Sequence, residues 1–396
     1  MILVVSAVFP PEPLTSAFIA KEIVEELSRD SEVKVITPKP SRPLGSKYTI
    51  DKESDKPYEH IIAHSFTCPE SDLIGRMYES FSFGKKVSLF IRKNRCGIKA
   101  IYLNSWPLFS QYLIVRESKR FSIPVIIHVQ DIYPESLYNK LPLFIAPLVR
   151  LLLPIDRYVL NNVAKVVTIS QKMSTYLAES RRIKTGNPEI VYNWQDDSGF
   201  VKYNRILKKE MDKKEFIFMF LGNINKTSAI DKIITAFEAS GLSDSKLIIA
   251  GSGSEKEMID TLIKNSGGTS VELWDAPAEK VPAIQSKADV MIIGLKKGAS
   301  KFALPSKLAS YMFSAKPIIA CVDRDTDVAE IIVNTDCGWI TPPEDPEKLS
   351  ELLMTVRKLS CEELHNKGNN GWTFAMQNFS KSQNLNKLIG FIKALN

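Results

Sequence analysis

"FIFMFLGNINKTSAIDKIITAFEASGLSDSKLIIAGSGS", residues 216–254, holds one complete unit of a fold class. The run "FIFMFLGNI" is apolar without alternation, which suits a strand covered on both faces. "SAIDKIITAFEAS" then reads as a helix, and "KLIIAGSGS" as a second buried strand ending in a glycine turn. Strand, helix and strand in that order call for parallel strands joined by a crossover.

The alternation continues to either side. Downstream come helix "EKEMIDTLIKNSG", strand "VELWD", helix "AEKVPAIQSKA", strand "VMIIGL", helix "PSKLASYMFSA", strand "PIIACV", helix "TDVAEIIVN", strand "GWIT" and helix "DPEKLSELLMTVRKL". Upstream, "ILVVSAVF" is a strand, "TSAFIAKEIVEELSRD" a helix with Thr15 or Ser16 as its N-cap, and "VKVITP" the next strand. Further strands are expected at "KAIYLN", "PVIIHV", "KVVTIS" and "EIVYN", whereas residues 40–75 are polar, proline-punctuated and weakly periodic. Residues 194–215, "WQDDSGFVKYNRILKKEMDKKE", are charged and lack a strand signal, so they read as a linker. The expected fold class is α/β, with two doubly wound parallel-sheet domains and a cleft between them.

With 396 residues, 44% of them hydrophobic and 24% charged, the chain has material for two full cores. The net charge of +7 is spread along most of the chain, and no arginine-rich arm or aromatic RNA-reading motif is present, so nucleic acid is not an expected partner. The five cysteines form no C-x-x-C pair, which argues against zinc and for a reducing compartment. The opening "MILVVSAVFPPEP" reads as a first strand rather than a signal peptide. No apolar run reaches the length of a spanning helix; "LPLFIAPLVRLLLPI", Leu141 to Ile155, comes nearest and is broken by prolines and Arg150.

The first strand is followed by "FPPEPLTSA", with no glycine, so a dinucleotide fingerprint is absent; so is a P-loop. Gly251 and Gly253 in "AGSGS" fit tight packing as readily as a phosphate loop. In "FLGNINKTSAIDK", Gly222 and Asn223 end a buried strand and Lys226 precedes a helix start near Ser228, an arrangement suited to a phosphate or to an ordinary capped helix. In "KGASKFALPSKLASYMFSAKPIIA", Lys301 and Lys307 flank a helix start, with Pro305 in its first turn and Ser306 placed to satisfy an orphan N–H. A lysine there opposes the helix dipole unless an anion sits beside it, which points to diphosphate binding. "DRDTD", Asp323 to Asp327, imitates a metal-binding D-x-D, but capping of the next helix by Asp325, Thr326 or Asp327 is the reading preferred. In "HVQDIYPESLYNK", residues 128–140, Asp131 and Glu135 lie where a buried strand opens into a loop, the place where ligands bind in open α/β sheets. Either acid also fits a turn or helix terminus.

Taken together, "HVQDIYPES", "FLGNINK", "AGSGS", "LPSKLASYMFSAKPIIA", "DVAEII", "CGWITPPEDPEKL" and "NNGWTFAMQNFS" resemble the glycosyltransferases of GT-B architecture, family 4, in the branch that builds surface polysaccharides such as O-antigen and capsule. The resemblance implies two Rossmann-like domains facing across a cleft: an acceptor-side domain 1–195, a linker 196–215, a nucleotide-sugar domain 216–375, and a C-terminal helix 376–396 crossing back to the first domain. It implies transfer from a nucleoside-diphosphate sugar, UDP-sugar favoured, to a lipid-linked (polyprenyl-diphosphate) saccharide, with retention and without metal or cofactor. By position, Asp131 stands near the transferring sugar, with Gln130 where many relatives have histidine, and Asp131 and Glu135 are the expected catalytic residues. Gly222, Asn223, Lys226, Gly251, Gly253, Ser306, Lys307 and Glu330 match donor-side positions. The chain departs from the family at an E-x7-E pair, replaced by Phe302 and Ser310, and at the N-terminal glycine loop. A non-catalytic partner subunit and a nucleotide-sugar epimerase are the alternatives. The basic and apolar segment Phe83–Arg95 and the run from Leu141 further suggest a cytoplasmic protein docked on the inner membrane face.

Overall fold

The computed structural model describes all residues except 43–47, 49–55, 69–71, 105–106, 137–145, 185, 201–214, 267–269, 299–303 and 396. Most of the expected linker therefore lies outside the described residues, as do Lys301, Phe302 and the first part of the run from Leu141. The chain forms two compact units, one of Met1–Asn193 with Asn384–Asn396 and one of Trp194–Gln383.

Unit 1 comprises β1 (Ile2–Val5), α1 (Thr15–Leu27), β2 (Val33–Pro38), β3 (Glu59–Ala63), α2 (Leu73–Asn94), β4 (Ala100–Asn104), α3 (Leu108–Arg120), β5 (Val125–Val129), α4 (Leu153–Asn161), β6 (Lys165–Thr168), α5 (Gln171–Arg181) and β7 (Glu189–Ile190). Its strands are all parallel, in the order β3-β2-β1-β4-β5-β6-β7. The central strands β1, β4 and β5 are buried at every position, as their unbroken apolar runs require. β3 falls inside the stretch read as irregular. It is an edge strand whose residues are mostly half-buried, joined to β2 by polar pairs: Lys34 to Glu59 at 2.7 Å and Thr37 to His60 at 2.9 Å. Such a strand has no apolar alternation to detect. β1 ends at Val5, sooner than its apolar run, because Ser6 and Glu12 bind the backbone of Val8 and Phe9 and turn the chain. Helix α1 is preceded by Leu14 and has no side-chain cap, so neither Thr15 nor Ser16 takes the expected role.

Unit 2 comprises β8 (Phe216–Asn223), α6 (Ile230–Ser240), β9 (Ser245–Ser252), α7 (Lys256–Ser266), β10 (Val271–Trp274), α8 (Val281–Gln285), β11 (Val290–Gly294), α9 (Ser306–Phe313), β12 (Ile318–Cys321), α10 (Asp327–Thr335), β13 (Gly338–Thr341), α11 (Pro346–Arg357) and α12 (Cys361–Asn378). The order is β10-β9-β8-β11-β12-β13, again all parallel. In both sheets the direction of strand addition reverses once, beside β1 and beside β8. Phe218, Phe220, Ile249 and Ile292 from the sheet pack with Ile233 and Phe237 of α6 and Leu349 and Leu353 of α11. The last helix, α13 (Lys381–Lys393), contains the second passage between units. Within unit 1, its Asn384 accepts from the Tyr192 amide at 3.0 Å, Lys387 donates to the Ile190 carbonyl at 2.9 Å, and Lys393 pairs with Asp30.

One side chain completes the backbone accounting at the centre of unit 2. β9 follows β8 to its end, but β11 pairs only with Phe218 and Met219. Beyond that point the hydroxyl of Tyr311, fully buried on α9, accepts from the Leu221 amide at 2.9 Å and donates to the Leu221 carbonyl at 2.8 Å. A buried backbone group left unpaired costs roughly 1–3 kcal/mol. Tyr311→Phe is therefore expected to lower the unfolding free energy by an amount in that range, read as a lower denaturation midpoint with an unchanged denaturant slope. An unchanged midpoint would show that the hydroxyl carries no such burden.

Candidate functional site

The divergence of β11 from β8 opens the crevice at the carboxyl ends of unit 2's strands, where ligands sit in this class of sheet. The chain brings three backbones together there. Gly222 has φ 150°, and a Cβ on it would lie 2.5 Å from Cε of Lys307. Gly251, its register partner at φ 137°, would drive a Cβ to 2.0 Å from the Gly222 carbonyl oxygen. Gly253 packs in the same way against the Ile224 carbonyl and the Asn223 side chain. The glycines of "AGSGS" thus hold the Gly222–Ile224 loop, and Gly222 makes room for Lys307.

Past Asn223 the chain does not enter a helix at Ser228 as expected. Asn225 accepts from the Thr227 amide at 3.0 Å and the Thr227 hydroxyl at 2.7 Å, fixing a short 3₁₀ turn, Lys226–Ser228. Ala229 adopts φ 47°, and α6 begins at Ile230 without a side-chain cap. Lys226 is exposed on that turn, while Ser228 is buried and donates to the Asn223 carbonyl at 3.0 Å.

Lys307 is half-buried in the first turn of α9. Its Nζ lies 4.2 Å from the centre of the Phe220 ring and 3.3 Å from Oγ of Ser228. Among the described residues no carboxylate lies within ion-pair distance of it, and burial pulls its pKa down to about 8. Pro305 stands at the N-cap position rather than in the first turn, and no side chain caps the helix. Ser306 is exposed, and its carbonyl accepts from Gln195 at 3.3 Å, so it does not satisfy an orphan amide as expected. An uncapped helix start with a desolvated lysine over a glycine backbone favours an incoming anion. Ser310, at the family's second glutamate position, is buried and accepts from Gln285 at 2.7 Å, so it serves the packing of α9.

The "DRDTD" acids have other duties. Asp323 accepts from the Gly298 amide at 2.7 Å, and Thr326 caps α10 by accepting from the Ala329 amide. Glu330 is exposed in the first turn of α10.

In unit 1, Asp131 is exposed at the bend after β5, followed by a cis Tyr133–Pro134 peptide. Glu135 is placed differently. Arg181, 1% exposed, donates to both Glu135 oxygens at 2.8 and 2.6 Å and to Asp156 at 2.5 Å, and the Tyr176 hydroxyl also donates to Glu135 at 2.7 Å. Burial alone would raise the Glu135 carboxyl, but the hydrogen bonds from Arg181 and Tyr176 hold it below its ordinary range. Burial pushes Asp156 up to about 6 despite Arg181. The loop carrying Asp131 is thereby pinned to α4 and α5 through Glu135. In the same unit, Glu12 accepts from the Phe9, Ser41 and Arg42 amides, and Arg42 pairs with the buried Glu79 at 3.0 Å. Arg42, Glu79, Asp156, Arg181 and Tyr311 escaped the sequence reading. For Tyr311 a signal existed, its spacing of four from Lys307 on a helix. For the others, partners lie 25 or more residues apart, with nothing local to join them.

Two family models match the chain: Glycosyltransferase Family 4 over residues 18–198 and Glycosyl transferases group 1 over residues 204–372. The probable glycosyltransferase WbjE of Pseudomonas aeruginosa is 22% identical over 346 residues, covering 81% of this chain and 80% of that protein. The putative colanic acid biosynthesis glycosyl transferase WcaI of Escherichia coli K12 is 24% identical over 220 residues, 53% of each chain. The crystal structure of HepE from Anabaena in complex with UDP superposes with a TM-score of 0.71 at 13% identity, covering 99% of both chains.

Removing the unpaired lysine tests the site directly. A charge-assisted hydrogen bond is worth about 1.5–3 kcal/mol, so Lys307→Ala should weaken UDP binding roughly ten- to a hundredfold in calorimetry. The wild-type affinity should also fall as pH rises above about 8, because the lysine must then take up a proton on binding. Lys307→Arg, which stays charged, should lack that fall. For stability the sign is opposite. A lysine whose folded pKa is depressed disfavours folding while charged, and that cost is relieved between pH about 8 and the ordinary 10.5. Equal affinity for the wild type and Lys307→Ala would remove this residue from the site.

Proposed function

We propose that this chain, a glycosyltransferase of the GT-B fold and the GT1/GT4 superfamily, moves a glycosyl group from a nucleoside-diphosphate sugar to a hydroxyl of a lipid-linked saccharide. The observation that carries the donor half is the desolvated Lys307 over the Gly222 backbone, with no carboxylate to neutralise it among the described residues. UDP is the favoured nucleotide, consistent with the UDP complex of the HepE relative. A surface-polysaccharide acceptor on a polyprenyl diphosphate is consistent with WcaI's being a putative colanic acid biosynthesis enzyme.

In this reading the bond from the anomeric carbon to the diphosphate oxygen breaks, one to the acceptor oxygen forms, and the acceptor hydroxyl's proton passes to the departing diphosphate. The departing diphosphate carries the charge. Lys307, Lys226 and the uncapped amides at the starts of α6 and α9 stabilise it where it develops. Lys307 and the helix-start amides are held in place before reaction, which favours neutralising the leaving group without a metal, and the resemblance implies retention at the anomeric carbon. Asp131 orients the acceptor hydroxyl or supports positive character on the sugar. Glu135 is a positioning residue, its oxygens held by Arg181 and Tyr176.

A thermal-shift panel of UDP, GDP and TDP sugars tests the donor. A bound nucleotide at about 100 times its Kd should add roughly 2.7 kcal/mol of stability. Transfer should persist within a few-fold in excess EDTA; a loss restored by Mn²⁺ would return the "DRDTD" acids to the site and defeat the metal-free reading.

Asp131→Asn separates chemistry from binding. Its kcat should fall about a hundredfold, the scale of one positioned acid–base or charge-stabilising group, while UDP affinity is retained. Unchanged kcat would move the reacting centre away from β5.

A further inference from the structure

The large apolar side chains left exposed are not spread evenly. Of the nine among the described residues, Phe18, Phe66, Ile74, Tyr78, Phe81, Leu89 and Leu151 belong to unit 1, and four of these stand on α2. Ile74 is 79% exposed and Tyr78 58%. At 100° per residue, Ile74, Tyr78, Phe81, Lys85 and Leu89 fall within about 80° of one another, one outward stripe on a helix. Phe66 joins its apolar end: its ring stacks edge-on against Tyr78 at 5.0 Å, and its amide donates to Ser82 at 3.0 Å.

The other end is basic. Lys85, Lys86, Lys93 and Arg95 are exposed, and the single acid of α2, Glu79, is buried against Arg42. Arg92, expected to be part of a docking surface, is engaged by Glu117 of α3 at 2.8 Å. That pair brings the end of α3 alongside. Arg95 and Arg120 both lie over the Phe121 ring, at 5.5 and 5.6 Å, and Arg116 and Arg120 are exposed there too. A stripe apolar at one end and cationic at the other, with no exposed acid along the helix, matches a bilayer surface with anionic headgroups. The opposite, inward face of α2 carries Arg76, which acts electrostatically on Tyr133, two residues past Asp131.

We propose that the outward stripe of α2, with Phe66, is a membrane-docking surface: Ile74, Tyr78, Phe81 and Phe66 enter the interface of an anionic bilayer while Lys85, Lys86, Lys93 and Arg95 face its headgroups. A lipid-linked acceptor would then reach the loop of Asp131 along the surface rather than from solution. The inference deepens the acceptor reading and rests on it only for why a membrane is visited.

Flotation with vesicles of phosphatidylcholine alone, or with about a third phosphatidylglycerol, reads docking without donor or acceptor. A failure of docking is therefore distinct from a failure of the transferase reading, which UDP binding by the same protein reports. The wild type should float with anionic vesicles at low salt and far less with neutral ones. Ile74→Ser with Phe81→Ser should reduce partition more than tenfold. Lys85→Gln with Lys86→Gln and Lys93→Gln should reduce it roughly a hundredfold, about fivefold per charge, and remove its salt dependence. All these positions are exposed, and an unchanged circular-dichroism spectrum and cooperative unfolding transition confirm folding of each variant. Absence of flotation with anionic vesicles overturns the proposal, as does flotation unaltered in both variants. Concentration-dependent dimerisation that disappears in Ile74→Ser with Phe81→Ser, without vesicle binding, assigns the stripe to a second copy of the chain instead.

Discussion

The placement of Lys307 depends on how one strand is finished. β8 lies at the centre of its sheet, and its neighbour β11 leaves it after Met219. A strand cannot continue into the interior with one edge unpaired, because each buried backbone group must find a partner. The Tyr311 hydroxyl supplies both partners for Leu221. Since Tyr311 and Lys307 are four apart on α9, the bond that completes the strand also brings the lysine over Gly222. Only glycine at 222 leaves space for it. The crevice, its backbone amides and its cation are thus consequences of a single register.

Charge burial separates the two units' polar clusters. Arg181 is flanked by two carboxylates, and among the described residues Glu135 and Asp156 have no other cation within ion-pair distance. Removing the arginine would leave two buried acids, typically a loss of about 3–5 kcal/mol, which marks the cluster as structural. Lys307 presents the opposite case. Its desolvation depresses the pKa from 10.5 to about 8, on the order of 3 kcal/mol against the charged form, and among the described residues only the Ser228 hydroxyl and the Phe220 ring, and no carboxylate, stand against it. A folded chain that retains such a cost at the mouth of a crevice is prepared for an anion, and a diphosphate supplies one.

The surface of unit 1 follows the same reasoning in reverse. A helix packed against a sheet normally turns its polar face outward. α2 turns its basic residues and also Ile74, Tyr78, Phe81 and Leu89 outward, while its one acid faces inward. Nothing in the packing of unit 1 requires these apolar side chains to be exposed. Three of the four, Ile74, Tyr78 and Phe81, lie in the first half of α2, with Phe66 packed beside Tyr78.

The amino-acid sequence by itself determined the class of fold, the alternation in unit 2, and the central strands of unit 1. Apolar periodicity is a local property, and a strand buried on both faces cannot be written otherwise. It also marked Gly222, Gly251 and Lys307, because a lysine opposing a helix dipole and a glycine ending a strand are local anomalies. β3 was invisible since an edge strand held by Lys34–Glu59 and Thr37–His60 shows no period. The cap positions at Leu14 and Pro305 went unread because the expected side chains were not needed there. Only the tertiary structure decided that Glu135 belongs to Arg181, that Ser310 belongs to Gln285, and that Tyr311 governs where Lys307 stands. Each of those pairings joins residues through packing across tens of positions in the chain, or through the point where two strands part. No window of sequence contains both the buried group and the partner that its burial demands.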